Sequence, residues 1–295
     1  MPTRLHLVDG TFELFRAHFS KRPDHVTPSG KPAKATAGVM SNMLALLHEE
    51  GEAVTHLAIA FDNPIESFRN DLFAGYKTGA GLPEELTSQF DLVERAAASL
   101  GIVVWRMDKW EADDGLATGA HRFGKDFDEV RILTPDKDLG QCLEGSRVVQ
   151  VDRVRGRVID EAALKEARGI APESIPDLLA LVGDTADGIP GLPGIGEKSA
   201  GALLGRYRHL EDIPKDFTKW DVAVRGGAKI AKTLEDHAEE AKLYRTLATL
   251  VRDVPLPQTS SEELRFRGVP RERFLAFCDE LGSTSLRDRP QRWSP

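Results

Sequence analysis

Four aspartates follow short apolar stretches that have the composition of buried β-strands, at the point where each stretch ends. They are Asp9, Asp62, Asp136 and Asp138. Open parallel sheets bind ligands at the carboxyl ends of their strands, so the four side chains are expected to share one cleft. One aspartate after one strand is more often a helix N-cap or turn former than a ligand. Recurrence after several strands favours the cleft.

Five further acids fall in two short segments. Glu111, Asp113 and Asp114 lie at a predicted helix start, and Asp184 and Asp187 follow the apolar run 178–182. Either aspartate of the first segment is equally consistent with a helix cap that the helix dipole stabilises. Hard carboxylate oxygens suit Mg²⁺ or Mn²⁺ as ligands.

The elements that must position these acids alternate along the chain. Short apolar runs predict five strands, at Leu5–Val8, Leu57–Phe61, Ile102–Trp105, Val130–Leu133 and Val148–Val151. Segments of helical period lie between them, such as Thr36–His48 and Leu86–Leu100. This alternation predicts an α/β fold with a central, mostly parallel sheet flanked by helices. After Pro172 the strand signals stop, and helices are expected at 197–205 and 228–250.

Composition is that of a compact chain with a real core, since 41% of the 295 residues are hydrophobic. No apolar run is long enough to cross a bilayer and no signal peptide precedes the first strand, so we expect a cytoplasmic protein without a membrane partner. Cys142 and Cys278 are expected to be reduced and packed. The net charge of -8 is an argument against a nucleic-acid partner. The argument is weak, because metal ions would neutralise much of the acidic cluster.

A glycine-rich segment at 183–200 matches neither nucleotide-binding fingerprint. Glu197 interrupts the Gly-Lys pair of a P-loop, and Gly194-x-Gly196 lacks the third glycine of the dinucleotide motif. A glycine-rich turn that opens a helix still offers free N–H groups, and Lys198 lies beside them. Such a turn suits one backbone phosphate, although an ordinary helix-turn-helix corner has the same pattern.

The motifs together resemble the 5′-nuclease family, specifically the 5′-to-3′ exonuclease domain of bacterial DNA polymerase I and its flap endonuclease relatives. The matching segments occur in the family order over most of the chain. They are Leu7–Gly10, Phe61–Asp62, Ser67–Arg69, Gly75–Lys77, Glu111–Asp114, Leu133–Leu139 and Gly183–Ala200, with weaker matches at Arg225–Lys229 and Leu247–Thr249.

The resemblance implies a two-metal phosphodiester hydrolase, with the ions about 4 Å apart. The first ion would be surrounded by Asp9, Asp62, Glu111 and Asp113. The second would be surrounded by Asp136, Asp138 and Asp184, with Asp114 and Asp187 completing the cluster. So many carboxylates would repel one another without cations.

The resemblance also implies residues that handle DNA. Residues 64–83 would form a helical arch over the cleft, with Lys77 there and Arg16 after the first strand acting near the scissile phosphate. The remaining implied DNA contacts are Arg69, Tyr76, Gly194, Gly196, Lys198, Arg225 and Lys229. A K⁺ ion at the helix-turn-helix belongs to the same expectation. Each lone Lys or Arg is also consistent with a solvated surface charge.

Two positions depart from the family pattern. Gly188 stands where the family commonly has Asn, and Ala80 stands where its polymerase-linked members usually carry Arg. The first departure concerns the turn after Asp187. The second puts substrate steering in doubt, not the metal site.

The expected organisation is a resolvase-like or PIN-like nuclease core at 1–175, a helix-turn-helix duplex-binding region at 176–255 and a tail at 256–295 that packs on the core. We expect a stand-alone, monomeric 5′ exonuclease and flap endonuclease acting on DNA with a 5′ flap, nick or 5′ end, or on RNA primers. Two alternatives are a non-catalytic structure-specific DNA-binding protein with a nuclease-like fold and a metal phosphohydrolase for small molecules. Nine retained acids oppose the first, and the arch and DNA-gripping turn would be superfluous in the second.

Overall fold

The computed structural model describes residues 2–295 of the chain as strands, helices and short connections. The strands are β1 Arg4–Asp9, β2 His56–Asp62, β3 Val103–Met107, β4 Glu129–Leu133, β5 Val148–Asp152 and β6 Arg157–Ile159. The helices of the first half are α1 Gly10–His18, α2 Lys34–His48, α3 Phe68–Leu72, α4 Glu84–Thr87, α5 Phe90–Ser99 and α6 Ala112–Phe123. Those of the second half are α7 Glu161–Arg168, α8 Ile175–Val182, α9 Glu197–Tyr207, α10 Gly227–Asp236, α11 Ala238–Ala248 and α12 Arg271–Leu281.

The chain divides into two compact units that interleave along the sequence. Unit 1 comprises residues 1–66, 79–134 and 252–295, and unit 2 comprises residues 67–78 and 135–251. The domain bounds predicted from the sequence, 1–175, 176–255 and 256–295, stay a prediction.

Unit 1 contains a parallel sheet in the order β3-β2-β1-β4. The middle strands β1 and β2 are buried almost throughout, as expected for apolar strands covered on both faces. Helix α6 packs on β1, β2 and β3, and α5 packs on β3. The predicted alternation of strands and helices is confirmed here.

Unit 2 is mostly helical, with β5 and β6 forming an antiparallel pair. Its core is built mainly from aliphatic side chains of α8, α9 and α11, and Tyr76 is buried within it. The single helix expected at 228–250 is two helices, because His237 leaves the helical conformation and caps both. Strand β6 was missed because it has three residues, of which Arg157 and Val158 are exposed.

Residues 64–83, the predicted helical arch, contain one short helix, α3, followed by turns. Ser67 and Asn70 form a capping box at its start. Five residues make little more than one turn, so this segment has no extended helix in the structure.

No helix among residues 2–295 is both long enough and apolar enough to span a bilayer. Both cysteines are buried and free, as expected. Burial raises the pKa of the Cys278 thiol to about 11.

The contact between α6 and β3 leads to a prediction about stability. A Cβ atom at Gly119 would lie 2.5 Å from the ring of Trp105, which is buried and cannot withdraw. We expect Gly119→Ala to lower the free energy of unfolding by about 1–3 kcal/mol, since overpacking outweighs the gain in helix propensity of about 1 kcal/mol. Urea denaturation measures this, and Gly51→Ala, where no atom lies within 4 Å, is the control. Equal stability of Gly119→Ala and the wild type would contradict the packing argument.

Candidate functional site

The carboxylates of unit 1 lie where β1 and β2 end. Asp9 is in register with Ala60, two residues before Asp62, so both aspartates leave the sheet at the same edge. One oxygen of Asp9 accepts a hydrogen bond from the Phe12 N–H at 2.8 Å, which caps α1, and the other accepts one from the Thr134 hydroxyl at 2.8 Å. The N-cap interpretation and the strand-end interpretation therefore both hold for Asp9.

The start of α6 brings a further group of acids to unit 1. Glu111 is the N-cap, and Asp114 is fully buried and accepts a hydrogen bond from the Glu111 N–H at 3.0 Å. Asp62 accepts a hydrogen bond from the Ala112 N–H at 2.6 Å. The structure thus favours the capping alternative for Asp114, while Asp113 is half-buried in the first turn.

Within residues 2–295, three acidic ligands approach one another closely enough for one metal ion at a single place, and that place lies in unit 2. The four residues predicted for the first ion do not form such a group. Their carboxylates instead engage nearby donors, as Asp9 does with α1 and Asp62 with α6. Hydrogen bonds to helix N-termini stabilise a carboxylate without a cation, so like charges need not converge.

The group in unit 2 consists of Asp138, Asp184 and Asp187, whose ligand oxygens lie within 4.8 Å of one another. Asp184 and Ile189 exchange two backbone hydrogen bonds of 2.8 Å, which close a tight turn. The turn folds Asp187 back toward Asp184. Three of the nine predicted ligands are brought together in this way.

Asp138 lies at the centre of the electrostatics of this group, because its side chain is buried while three other acids are close. Burial raises the pKa of the Asp138 carboxyl well above its ordinary value, and the carboxylate of Asp136 raises it further. Asp136 itself is exposed and accepts a hydrogen bond from the Asp138 N–H at 2.9 Å. Its role as a ligand of the second ion stays a prediction.

Lys137 lies within the sequence motif and contacts this group, although no role was predicted for it. Its ammonium contacts Asp184 and lies 3.5 Å from Oδ1 of Asp138. Burial lowers the pKa of Lys137, but the neighbouring carboxylates, Asp138 first, outweigh this effect and raise it. Placement of a cation between Asp136 and Asp138 in the sequence was the available signal.

The residues of unit 2 fit a divalent cation. Oδ1 of Asp138 is buried and accepts no hydrogen bond from the residues that the structure describes. A buried carboxylate oxygen requires a cation or a donor, and the Lys137 ammonium already lies beside it. An all-oxygen site of this kind suits a hard metal ion.

Lys77, predicted to act near the scissile phosphate, contacts Asp187 of the acidic group in unit 2. Its ammonium lies 2.9 Å from Oδ1 of Asp187, and its backbone N–H donates to the Asp187 carbonyl at 3.0 Å. Gly188 makes this approach possible, because a Cβ atom there would lie 2.1 Å from the Gly75 carbonyl oxygen. Gly188 also has a φ of 75°, a left-handed conformation that glycine adopts without strain.

Arg69 and Tyr76 differ from the sequence prediction of DNA contacts. The Arg69 side chain is 1% exposed and donates to the carbonyls of Leu247 and Thr249, at 2.7 and 3.0 Å. Tyr76 is buried in the core of unit 2. Burial gives both residues a structural role here, and the DNA contact is not favoured for either.

The predicted duplex-binding residues of the helix-turn-helix are exposed. Gly194 has a φ of 77°, and Lys229 Cε lies 4.0 Å from the position of a Cβ atom there. Gly196 is the N-cap of α9 without a side-chain cap, and Lys198 lies in its first turn. Arg225 directly precedes the N-cap of α10. Gly194, Gly196 and Lys198 lie along one turn, which the Lys229 side chain reaches.

The charge crowding in unit 2 generates a prediction for Asp138→Asn. In chelator, the variant should melt roughly 2–4 °C above the wild type, as about 1 kcal/mol of relieved repulsion would produce in a protein of this size. Because the raised pKa makes the folded wild type hold its proton more tightly than the unfolded chain does, wild-type stability falls as pH rises through that pKa. The advantage of the variant should therefore be larger near pH 8 than near pH 4, below which the unfolded Asp is also protonated.

Differential scanning fluorimetry with chelator or Mn²⁺ measures both effects. Mn²⁺ should raise the Tm of the wild type more than that of Asp138→Asn, because binding to the native state is stabilising. Asp126→Asn, which alters an exposed carboxylate of unit 1, serves as the control. If Asp138→Asn melted below the wild type at every pH in the presence of chelator, the negative charge of Asp138 would be shown to stabilise the fold.

Comparison with known proteins places the chain in a family. The family models for the 5′-3′ exonuclease N-terminal resolvase-like domain and C-terminal SAM fold match residues 4–169 and 170–272. DNA polymerase I of Bacillus caldotenax is 33% identical over 295 residues, covering 98% of this chain and 32% of the relative. The thermostable DNA polymerase I of Thermus aquaticus is 36% identical over 284 residues, covering 96% and 32%. The chain therefore spans about a third of the length of the curated relatives it matches.

A solved structure shares the fold at low sequence identity. Bacteriophage T5 flap endonuclease, in a pseudo-enzyme-product complex with DNA and metal ions, aligns with a TM-score of 0.65 and 19% identity. The alignment covers 95% of this chain and 100% of the phage protein. With both family models matched over most of its length, the chain belongs to the 5′-3′ exonuclease family.

Proposed function

We propose that this chain is a metal-dependent 5′-to-3′ exonuclease and 5′ flap endonuclease that hydrolyses phosphodiester bonds in DNA. The observation that carries the proposal is the group of three carboxylates formed by Asp138, Asp184 and Asp187. One oxygen of this group, Oδ1 of Asp138, is buried and accepts no hydrogen bond from the described residues. The group lies in a chain that both exonuclease family models match. The phage relative is described with both DNA and metal ions.

The proposed cofactors are Mg²⁺ or Mn²⁺, with one ion held by the carboxylates of unit 2 and another by those at the ends of β1 and β2. Divalent ions would activate the attacking water and stabilise the leaving oxygen. Asp138 and Asp184 would hold the cation, and the Lys137 ammonium, which contacts both, would neutralise part of their charge. Asp187 contributes a third oxygen.

Lys77 has the position of a phosphate-binding cation. Its ammonium lies 5.7 Å from the centre of the Tyr76 ring, and Asp187 holds it from the other side. Because Tyr76 is packed in the core, the ammonium is held in one place instead of sampling many rotamers. An ordered ammonium beside the metal ligands stabilises the charge that develops on the phosphate in the transition state.

The helix-turn-helix would grip the duplex without reading its sequence. Free N–H groups at the start of α9 and the exposed side chains of Lys198 and Lys229 suit backbone phosphates. The proposed substrates are DNA with a 5′ flap, a nick or a 5′ end, and RNA primers. A K⁺ ion at this turn and a monomeric state complete the proposal.

Two other functions receive less support. A pure DNA-binding protein gains nothing from a group of carboxylates in which burial and then the charge of Asp136 raise the pKa of Asp138. A phosphohydrolase for small molecules has no use for the exposed helix-turn-helix. Cleavage of a 5′-flapped duplex and of a small phosphate ester, each with Mg²⁺, Mn²⁺ or chelator, separates all three.

We expect Asp184→Asn to lower the single-turnover rate of flap cleavage about 100-fold or more, because the cation loses a ligand that also fixes its position. Flap binding in chelator should stay within about twofold of the wild type, since the carboxylate does not attract phosphate. Asp126→Asn should retain the wild-type rate. A rate near that of the wild type for Asp184→Asn would remove this group from the active site.

We expect Lys198→Ala to weaken duplex binding about equally for unrelated sequences and to reduce the slope of log K against log salt by about 1, as for the loss of one phosphate contact. Fluorescence anisotropy at several salt concentrations measures the slope. Lys165→Ala, which removes an exposed lysine of α7 in the same unit, is the matched control. An unchanged slope, or the same change in both variants, would contradict the assignment.

A further inference from the structure

Four side chains of unit 1 form a chain of hydrogen bonds that joins α1 to α2 and holds two arginines. Arg16 Nη2 donates to Oε2 of Glu13 at 2.5 Å, and Asn42 Nδ2 donates to the same oxygen at 2.8 Å. Arg22 Nη2 donates to Oδ1 of Asn42 at 2.8 Å. Glu13 is 3% exposed, so the two guanidiniums are attached to one fixed, mostly buried pair.

The surface of α2 is shaped to receive Arg22. Gly38 and Asn42 are four residues apart and therefore share a face of the helix. A Cβ atom at Gly38 would lie 2.6 Å from Cβ of Ala17 and 3.5 Å from Cδ of Arg22. The glycine thus lets α1 approach closely, and the Arg22 stem crosses α2 beside it to reach Asn42. This path fixes the direction of the Arg22 side chain, whereas the side chain of a fully solvated arginine would adopt many directions.

The arrangement leaves donors and positive charge for a ligand. Arg22 is exposed, and its guanidinium makes the single hydrogen bond to Asn42 within the described residues. Nε of Arg16 is buried and has no partner among those residues, and its side chain is 30% exposed. Because Asn42 is neutral, the single negative charge of Glu13 balances only one of the two positive charges in this network. An anion with several acceptor oxygens matches this excess, and a phosphodiester group has that chemistry.

The position along α1 identifies which phosphate is meant. Helix α1 begins directly after Asp9, and Arg16 follows seven residues later, which corresponds to roughly 10 Å along the axis. At that distance from Asp9, Arg16 is too far away to share a metal ion with it. Arg16 is instead placed to contact a neighbouring phosphate of a nucleic-acid strand that is bound at Asp9.

We propose that Arg22 joins Arg16, for which the family resemblance already implies a role near the scissile phosphate, in binding one backbone phosphate of the nucleic acid, and that Glu13 and Asn42 are positioning residues for the two arginines. The proposal rests on the proposed nuclease function and adds a binding site to it.

The first experiment measures binding of a 5′-flapped duplex in chelator across a range of salt concentrations. Arg22→Ala should bind about five- to tenfold more weakly at low salt and lower the salt slope by about 1. Arg22→Lys should restore the slope but only part of the affinity, because an ammonium cannot form two parallel hydrogen bonds. The control is Arg122→Ala, an exposed arginine in the last turn of α6, which should bind as the wild type does.

The second experiment tests positioning by Asn42. Asn42→Ala should weaken binding about threefold with an unchanged Tm, and the double variant with Arg22→Ala should bind no more weakly than Arg22→Ala alone. A neutral methylphosphonate, placed in turn at each position near the flap junction, should weaken the wild type at one position where Arg22→Ala is already insensitive. Additive losses in the double variant would overturn the positioning role.

The outcomes separate this proposal from the nuclease function. If the wild type neither binds nor cleaves the flapped duplex, the proposed function fails. If the wild type does both while Arg22→Ala and Arg122→Ala have equal affinity and slope, the phosphate site fails and the function stands.

Discussion

Repulsion between carboxylates is the constraint on which the candidate site of unit 2 depends. Asp138 is 5% exposed and faces other acids, and this raises the pKa of its carboxyl. The positive charge of a nearby cation offsets the electrostatic cost of ionising such a group. Lys137 provides part of that charge within the chain, and the remaining acids require more positive charge than one ammonium supplies.

Close backbone approach is the second requirement, because side chains this short meet only if their chain segments nearly touch. The turn between Asp184 and Ile189 brings its two acids together, and Gly188 allows it to contact the segment that carries Lys77. Arg69 holds the same segment through the carbonyls at the end of α11. A buried arginine thus stabilises the region where an exposed one was expected to bind DNA.

In unit 1, the same kind of residue is stabilised differently. The carboxylates of Asp9, Asp62 and Asp114 accept hydrogen bonds from backbone N–H groups at the starts of helices. Helix N-termini carry partial positive charge, so these hydrogen bonds stabilise negative charge on the three side chains. Capping and metal binding are therefore compatible roles, since a carboxylate has two oxygens and several lone pairs.

The sequence by itself determined the alternating strands and helices of unit 1 and the acids that follow the strands, because both are local patterns of apolar period and turn chemistry. It also determined the family, through motifs whose order survives divergence. Tertiary structure decided which acids converge, since Asp138 and Asp184 are far apart in the chain and only the fold brings them together. It likewise decided that Arg69 is buried, because its carbonyl partners lie 178 and 180 residues away. The charge of a side chain is written in the sequence, but its burial and partners depend on long-range packing that no local pattern records.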